Sequence, residues 1–220
     1  MDYFLKANAL IILFWLFYYA FLRNETFFKS IRVYFLLGLI VVISIPLIEI
    51  PIYVEQAVSN FNFYGIEGAS STNVVIEPTF DWSLLFMTIY FIGVVFFSFK
   101  FIFQLLSLRK LLIQHKAIRK DKYKLIETDK NSSPFSFFYY IIYNKNQFTE
   151  VELNQIIAHE KTHAQQWHSI DTLLTYILNI VFWFNPFARL YKKAVQQNLE
   201  FLADVTANKQ RIRNNINLHY

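Results

Sequence analysis

Three long apolar runs constrain the fold of this chain more strongly than any other feature of its sequence. Residues 3–22, 33–52 and 83–106 contain few charged side chains. A helix of about twenty apolar residues is long enough to cross the hydrocarbon core of a bilayer. The runs therefore predict three transmembrane helices. No small-x-small cleavage site follows the first run, so we interpret it as a span and not as a removable signal peptide.

The composition agrees with a membrane protein. The 220 residues are 55% hydrophobic and 20% aromatic, and only 17% are charged. A soluble domain of this length carries more charge and fewer large apolar side chains. The sequence contains no Cys, which excludes disulfides and zinc sites built from thiolates. We therefore expect the lipid bilayer to be one partner of the chain.

The charges between the runs predict how the chain is oriented. The link 23–32 carries three basic residues and one acidic residue, whereas residues 53–82 carry four acidic residues and no Lys or Arg. Seven Lys and Arg residues follow between positions 109 and 124. Cytoplasmic loops of membrane proteins carry the excess of Lys and Arg. We expect residues 1–106 to form the membrane region, with the N-terminus and the 53–82 loop outside, and residues 107–220 to form a cytoplasmic domain on the inner membrane.

Residues 105–120 alternate leucines with basic side chains. This pattern predicts either a helix lying on the anionic inner leaflet or a cytoplasmic extension of the third span. A nucleic-acid-binding patch is the weaker interpretation, and we expect no direct contact with nucleic acid.

Two short segments after the basic stretch have the composition of β-strands. They are Tyr123–Glu127 and residues 135–143, with turn-forming residues at 131–134 between them. In many zinc proteases an edge strand beside the metal-binding helix pairs with the extended substrate. Residues 135–143 are either such a substrate strand or an ordinary core strand, and the sequence leaves both open.

A helix with the pattern H-E-x-x-H follows these strands. Thr149 and Glu152 form a capping box that predicts where the helix begins. His159 and His163 are four residues apart, so both rings lie on one helix face and can bind one metal ion. Zinc bound in this way makes a coordinated water more acidic, and Glu160 is close enough to take the proton. This is the chemistry of the zinc-protease motif, although a polar helix with two unrelated histidines also fits the pattern.

Residues 172–190 predict either a fourth span or a hairpin associated with the membrane. Any third metal ligand later in the chain has to lie on the same side of the membrane as the H-E-x-x-H motif. A fourth span would move those later residues to the opposite side. Asn179, Asn185 and Pro186 within the segment favour a hairpin that dips into the membrane surface and returns.

Residues 190–209 predict a helix that supplies further site residues. We interpret Glu200 as the third zinc ligand and Asp204, one turn later, as the acceptor that orients the ring of a ligating His. A solvated acidic helix face is the alternative. Asp171 is a weaker candidate for the same orienting role. Two other histidines are expected at the surface, His115 and His168.

Four short motifs, in this order and spacing, carry a family resemblance. They are residues 157–163 (I-A-H-E-K-T-H), 168–171 (H-S-I-D), 183–187 (W-F-N-P-F) and 198–204 (N-L-E-F-L-A-D). Together they resemble the BlaR/MecR-type membrane metallopeptidases, the sensor-transducer proteases of inducible β-lactam resistance. The second and fourth motifs look most similar to the Bacteroidetes branch.

The resemblance implies the roles of four residues. In that family two histidines and a later glutamate bind zinc, which matches His159, His163 and Glu200, and the glutamate of H-E-x-x-H, here Glu160, is the base. Relatives continue past the third ligand into a final span and an outer sensor or TonB-like domain. Only residues 205–220 follow here, so we expect that region to be missing.

We therefore expect a mainly α fold: a polytopic α-helical membrane protein with a small α+β zincin-like cytoplasmic domain. The expected function is a Zn2+-dependent, gluzincin-like endopeptidase. The resemblance implies that its substrate is a cytoplasmic regulator such as a transcriptional repressor, or the enzyme itself. Two alternatives stay open: a non-catalytic, truncated membrane scaffold or partner protein, and a membrane metalloprotease of the CAAX-processing or quality-control type.

Overall fold

The computed structural model describes residues 2–48, 81–120, 122–129 and 133–217. These residues form six α-helices and a four-stranded sheet, with short π- and 3-10-helical turns between them. Apart from its last two residues, the predicted 53–82 loop lies outside the described residues, as does the end of the second apolar run.

Three helices are long and apolar enough to cross a membrane, as the apolar runs predict. Helix α1 is Asp2–Phe17 and continues as a π-helical turn, Tyr18–Leu22. Helix α2 is Phe28–Ser44, followed by a 3-10 turn, Ile45–Leu47. It begins five residues before the apolar run because a helix continues past its apolar part, where its backbone groups still need hydrogen bonds.

Helix α3, Trp82–Gln114, is one continuous helix of 33 residues. Of the two interpretations of the basic stretch, the extension of the third span is therefore the one adopted as far as Gln114. The expectation of a helix up to residue 120 is wrong. The helix is instead followed by strand β1, Ala117–Lys120. The chain reverses after it, so β1 pairs antiparallel with strand β2, Tyr123–Glu127.

The sheet has the strand order β1-β2-β4-β3, so β3 lies at one edge. Strands β3, Phe135–Phe137, and β4, Tyr140–Tyr143, are antiparallel, and β4 runs parallel to β2. The prediction of one strand over residues 135–143 is wrong. Phe138 has a φ of 51°, which turns the chain sharply. The segment is therefore a hairpin of β3 and β4 with a two-residue turn at residues 138–139.

Helix α4, Glu150–Gln165, starts with the predicted capping box. The Thr149 side chain accepts a hydrogen bond from the Glu152 amide, and the Glu152 carboxylate accepts one from the Thr149 amide. Trp167 then adopts a left-handed conformation, with a φ of 58°, and reverses the chain into helix α5, His168–Val181. Helix α6, Pro186–Asn217, follows after a four-residue turn.

Helices α5 and α6 form a hairpin with its turn at residues 182–185, inside the predicted segment 172–190, and its association with the membrane stays a prediction. Helix α5 has 14 residues and is about 21 Å long, which is shorter than the hydrocarbon core. The turn of the hairpin lies beside the first turns of α1. Phe182 packs on Phe4, with ring centroids 6.3 Å apart, and Asn185 donates to the Asn8 amide oxygen at 2.7 Å.

The hairpin packs between the long helices. Tyr191 of α6 donates a hydrogen bond to the Phe35 carbonyl and lies against Gly38 of α2, where a Cβ atom would come within 2.8 Å of the hydroxyl. On the other side, a Cβ atom at Gly93 of α3 would overlap the indole of Trp183. The largest buried cluster is therefore made by α1, α2 and the α5–α6 hairpin together.

Candidate metal centre

His159 and His163 come together on the last turns of α4. Both rings are half-buried, and their Nε2 atoms lie 3.0 Å apart. The capping box fixes the start of α4, and strands β3 and β4 and helix α6 pack along its side. The two lone pairs can therefore point at one position beside the helix, as the four-residue spacing predicts.

Glu200 of α6 completes a group of three possible metal ligands. Its Oε2 atom lies 3.4 Å from His159 Nε2 and 3.7 Å from His163 Nε2. Ala203, which is fully buried, lets α6 approach α4 closely. Ligand atoms about 2 Å from a tetrahedral zinc ion are about 3.3 Å from each other. These side chains fit a zinc site in chemistry and spacing, with all three ligand atoms within 4.8 Å of one another.

The same contacts shift the acid–base properties of the three side chains. Hydrogen bonds from His159 and His163 hold the pKa of the Glu200 carboxyl well below its usual range. The Glu200 hydrogen bond, followed by the charges of Glu160 and Asp204, raises the pKa of His159 against the effect of burial. Two histidines and an ionised carboxylate can together bind a divalent cation. The cation then takes the place of the protons that these side chains share.

The second nitrogen of His159 has its own partner. Its Nδ1 atom lies 2.9 Å from Asp204 Oδ1, one turn beyond Glu200 on α6. A carboxylate that accepts a hydrogen bond from Nδ1–H fixes the tautomer in which the Nε2 lone pair is directed at the metal position. The structure thus places Asp204 where the sequence predicts an orienting acceptor.

The second nitrogen of His163 also has a partner, which sequence reasoning missed. The Nδ1 atoms of His163 and His168 are 2.8 Å apart, and His168 Nε2 lies 3.2 Å from the Gln166 amide oxygen. The prediction that His168 lies at the surface is wrong, because only 2% of it is exposed. The left-handed turn at Trp167 folds the start of α5 back against α4, and no local pattern signals this.

Burial and the neighbouring His163 and Arg32 charges lower the pKa of His168 to about 3. The ring is therefore neutral at physiological pH. A neutral imidazole has one donor and one acceptor nitrogen. Donation from Nε2 to Gln166 leaves Nδ1 as an acceptor for the Nδ1 proton of His163. The other surface prediction, for His115, falls on a half-buried side chain, whose Nδ1 atom is 3.0 Å from the Leu111 carbonyl oxygen.

Asp171 is placed differently from its predicted position beside a histidine ring. Its carboxylate is 2% exposed and lies 2.7 Å from Arg32 Nε. Burial raises the pKa of Asp171, and the Arg32 guanidinium opposes this shift. Arg32 Nη2 also donates to the Gln166 backbone carbonyl at 2.8 Å. Asp171 therefore supports the turn that carries His168 and does so through a residue of α2.

Glu160 lies beside the metal position at the wall of a cavity of about 380 Å³. The residue is 9% exposed, and His163, His168 and Glu200 line the same cavity. Edge strand β3 forms a second wall and the inner part of α3 a third. Their lining side chains are mostly apolar: Phe101, Leu105, Leu108, Phe135 and Phe137.

A comparison with family models identifies the chain. The model described as BlaR1 peptidase M56 matches residues 52–220. The chain belongs to the BlaR1 peptidase M56 family. The matched part contains α3, the sheet and all the residues grouped around His159 and His163. A search of curated proteins found no match.

M56 membership fixes the general class of the protein. It is a membrane-associated metallopeptidase of the BlaR1 type, and M56 metallopeptidases depend on zinc. The H-E-x-x-H sequence of α4 is the part of the M56 region that carries two of the three possible ligands. The family resemblance drawn from the four sequence motifs is therefore confirmed.

Proposed function

We propose that this M56 protein is a zinc-dependent endopeptidase embedded in the inner membrane, which cleaves a cytoplasmic regulator or itself. The observation that carries the proposal is the group formed by His159, His163 and Glu200. Their ligand atoms lie within 4.8 Å of one another, and Glu160 stands at the wall of the adjoining cavity. A non-catalytic scaffold does not require a carboxylate beside such a group.

The reaction needs a proton acceptor beside the scissile bond. When bound, zinc supplies a Lewis acid that polarises a peptide carbonyl and makes a water molecule more acidic. Glu160 takes the proton of the attacking water and passes it to the leaving amine nitrogen. Its 9% exposure keeps most bulk water away from the carboxylate, and the cavity leaves one side open to a peptide.

Two further side chains orient the ligands. Asp204 holds the ring of His159 through Nδ1, and His168 holds the ring of His163 in the same way. Each contact fixes the tautomer in which Nε2 carries the lone pair. They are positioning residues, because each acts on the metal position through the ring of a ligand.

Edge strand β3 is suited to bind an extended substrate, the first of the two roles left open for this segment. The two-residue turn closes on the pair Phe137–Tyr140, so Ser136 on the next pair directs its backbone N–H and C=O to the free edge. The Phe138 amide donates to the Ser169 hydroxyl at 2.8 Å, which ties this hairpin to the start of α5. A peptide added at the edge would pass along the cavity that Glu160 lines.

The topology follows from the positive-inside pattern. The N-terminus lies outside, α1, α2 and α3 span the membrane, and residues 107–220 with the metal group are cytoplasmic, apart from the part of the α5–α6 hairpin that packs among the spanning helices. The absence of Cys makes this testable, because single cysteines can be introduced at Ser70 and Asn208. An impermeant maleimide added to intact spheroplasts is expected to label Ser70→Cys alone. Labelling of Asn208→Cys instead would reverse the orientation.

The experiment that tests the activity uses a mixture of natural peptides as substrate. Detergent-purified protein with zinc is incubated with the mixture, and new peptide termini are identified by mass spectrometry. Wild type and Glu150→Gln, which changes an exposed carboxylate of the same helix, are expected to generate the same cleavages. Glu160→Gln is expected to generate none. A zinc-loaded wild type that cuts neither peptides nor itself would favour the scaffold.

A further inference from the structure

A second cavity, of about 250 Å³, lies between α3 and the α5–α6 hairpin, on the side of the hairpin turn. Three basic side chains line it: Lys100 comes from α3, and Arg189 and Lys192 come from α6. Among the described residues that line it there is no Asp or Glu. The metal group and its mechanism make no use of these three cations.

These cations have no carboxylate partner within 4 Å among the described residues. Lys192 Nζ lies 3.9 Å from the centre of the Tyr176 ring, and Arg189 Nη2 donates to the Trp183 carbonyl at 3.1 Å. Aromatic rings and carbonyl groups stabilise a cation but leave its charge uncompensated.

The position of the cavity makes the uncompensated charge costly. Asn185 at the hairpin turn bonds to Asn8 of α1, and Asn198 at the other end donates to the Phe28 carbonyl at the start of α2. With a helical rise of about 1.5 Å, Arg189 lies about 6 Å from Asn185 along α6, and Lys192 lies about 9 Å from Asn198. Both cations are thus placed within the length of the spanning helices, where charged side chains mark functional sites.

We infer that this cavity binds the phosphate group of an anionic phospholipid. Lys100 and Arg189 are exposed at the outer surface of the helix bundle, so the ligand enters from the bilayer. Phe97 stacks on Trp183, with centroids 5.8 Å apart, and together they provide an apolar wall for the glycerol and the first part of an acyl chain. Basic cavities between membrane helices are known sites for the headgroups of anionic lipids.

The bound lipid would connect α3 to the hairpin. Helix α3 supplies Lys100 and a wall of the catalytic cavity, whereas α6 supplies Arg189, Lys192 and, further along, Glu200. A phosphate held between the two helices neutralises charges from both of them. The phosphate therefore lies between α3, which forms a wall of the cavity that Glu160 lines, and α6, which carries Glu200.

Native mass spectrometry of the full chain in a non-ionic detergent tests this inference. The protein is mixed with phosphatidylglycerol or with phosphatidylcholine of the same acyl composition. Wild type is expected to retain one phosphatidylglycerol and little phosphatidylcholine. Lys192→Gln is expected to retain about tenfold less phosphatidylglycerol, since it loses one charge-assisted contact to phosphate. Lys192→Arg keeps the charge and is expected to retain the lipid.

The matched control is Lys193→Gln, which removes a charge from the next, exposed position of the same helix. It is expected to behave as wild type. Equal retention by Lys192→Gln and Lys193→Gln, or equal retention of the two lipids by wild type, would overturn the inference. Displacement by millimolar inorganic phosphate as efficiently as by short-chain phosphatidylglycerol would show a site for free phosphate instead. None of these measurements depends on peptide cleavage, so they stand apart from the test of the proposed activity.

Discussion

The Nδ1 atoms of His163 and His168 face each other across 2.8 Å where α4 ends and α5 begins. Two nitrogens at this distance share one proton, so one ring donates and the other accepts. Burial keeps His168 neutral, and its Nε2–H donates a hydrogen bond to the Gln166 amide oxygen, so its Nδ1 is the acceptor and His163 is the donor. The tautomer of His163, one of the three proposed metal ligands, is therefore set by a second histidine.

Replacing His168 is expected to weaken zinc binding without removing a ligand. Loss of the acceptor in His168→Ala should lower zinc affinity about 10- to 100-fold, the usual effect of removing a ligand's hydrogen-bond partner. His168→Gln offers a carbonyl oxygen in place of Nδ1 and should lose less. Competition with a chromophoric chelator measures the affinity, and the visible spectrum of the cobalt-substituted protein reports the ligand geometry. Identical affinity and spectrum in wild type and His168→Ala would contradict the role.

Asp204 is expected to support the other histidine in the same way. Asp204→Ala removes the acceptor 2.9 Å from His159 Nδ1, and zinc affinity should again fall about 10- to 100-fold. Asp129→Ala is the control, because it removes an exposed carboxylate far along the chain from the group. The same chelator assay applies. An affinity loss shared by both variants would indicate a general charge effect and not a specific contact.

Zinc content should separate the ligand from the base. Near one zinc per chain is expected in wild type and in Glu160→Gln, because Glu160 is not among the three grouped ligands. Glu200→Ala should lose most of the metal, since two histidines alone leave the site short of a ligand. Elemental analysis of detergent-purified protein measures both. Zinc retained in Glu200→Ala would mean that another residue is the third ligand.

The ion pair of half-buried Arg32 and buried Asp171 is expected to stabilise the turn beneath His168. Removing one member, as in Arg32→Met, leaves an unpaired buried carboxylate and should cost about 3 to 5 kcal/mol of unfolding free energy. The double variant Arg32→Met/Asp171→Leu should be more stable than the single one, because no charge is left without a partner. Thermal unfolding followed by tryptophan fluorescence in detergent compares them. A double variant less stable than the single would contradict this account.

The close approach of α3 to the turn between α5 and α6 allows a test of how the hairpin packs against the long helices. Gly93→Ala places a methyl group where the Trp183 indole lies, so the helix and the hairpin should separate and the melting temperature should fall. In a Trp183→Leu background the same change should cost much less, since the obstructing ring is gone. The double-mutant cycle measures the difference directly. Additive effects of the two changes would show that the residues do not touch.

The strongest predictions from sequence were those that depend on local spacing. The capping box at Thr149, the shared face of His159 and His163, and the one-turn step from Glu200 to Asp204 all follow from helical periodicity. The three long helices follow from apolar length alone. Such features need no knowledge of what packs against them.

The features that were missed depend on contacts between distant parts of the chain. His168 is buried because a left-handed residue folds α5 onto α4, and Asp171 is held by an arginine 139 positions away in sequence. In the sequence alone, Arg32 is one of three basic residues in the link 23–32 and indicates only topology. The hairpin of residues 135–143 depends on the positive φ of Phe138. The residues that usually indicate such a turn, Gly and Asn, are absent from this position.

The division of the ligand set between α4 and α6 has a consequence for how the enzyme is made. Glu200 belongs to the helix whose first turns pack against α1 and α2, so it reaches the two histidines only when the hairpin has entered that bundle. A newly synthesised chain whose hairpin has not yet inserted has two ligands and no working centre. In the peptidase proposed above, cleavage is therefore expected to begin only with the completed assembly.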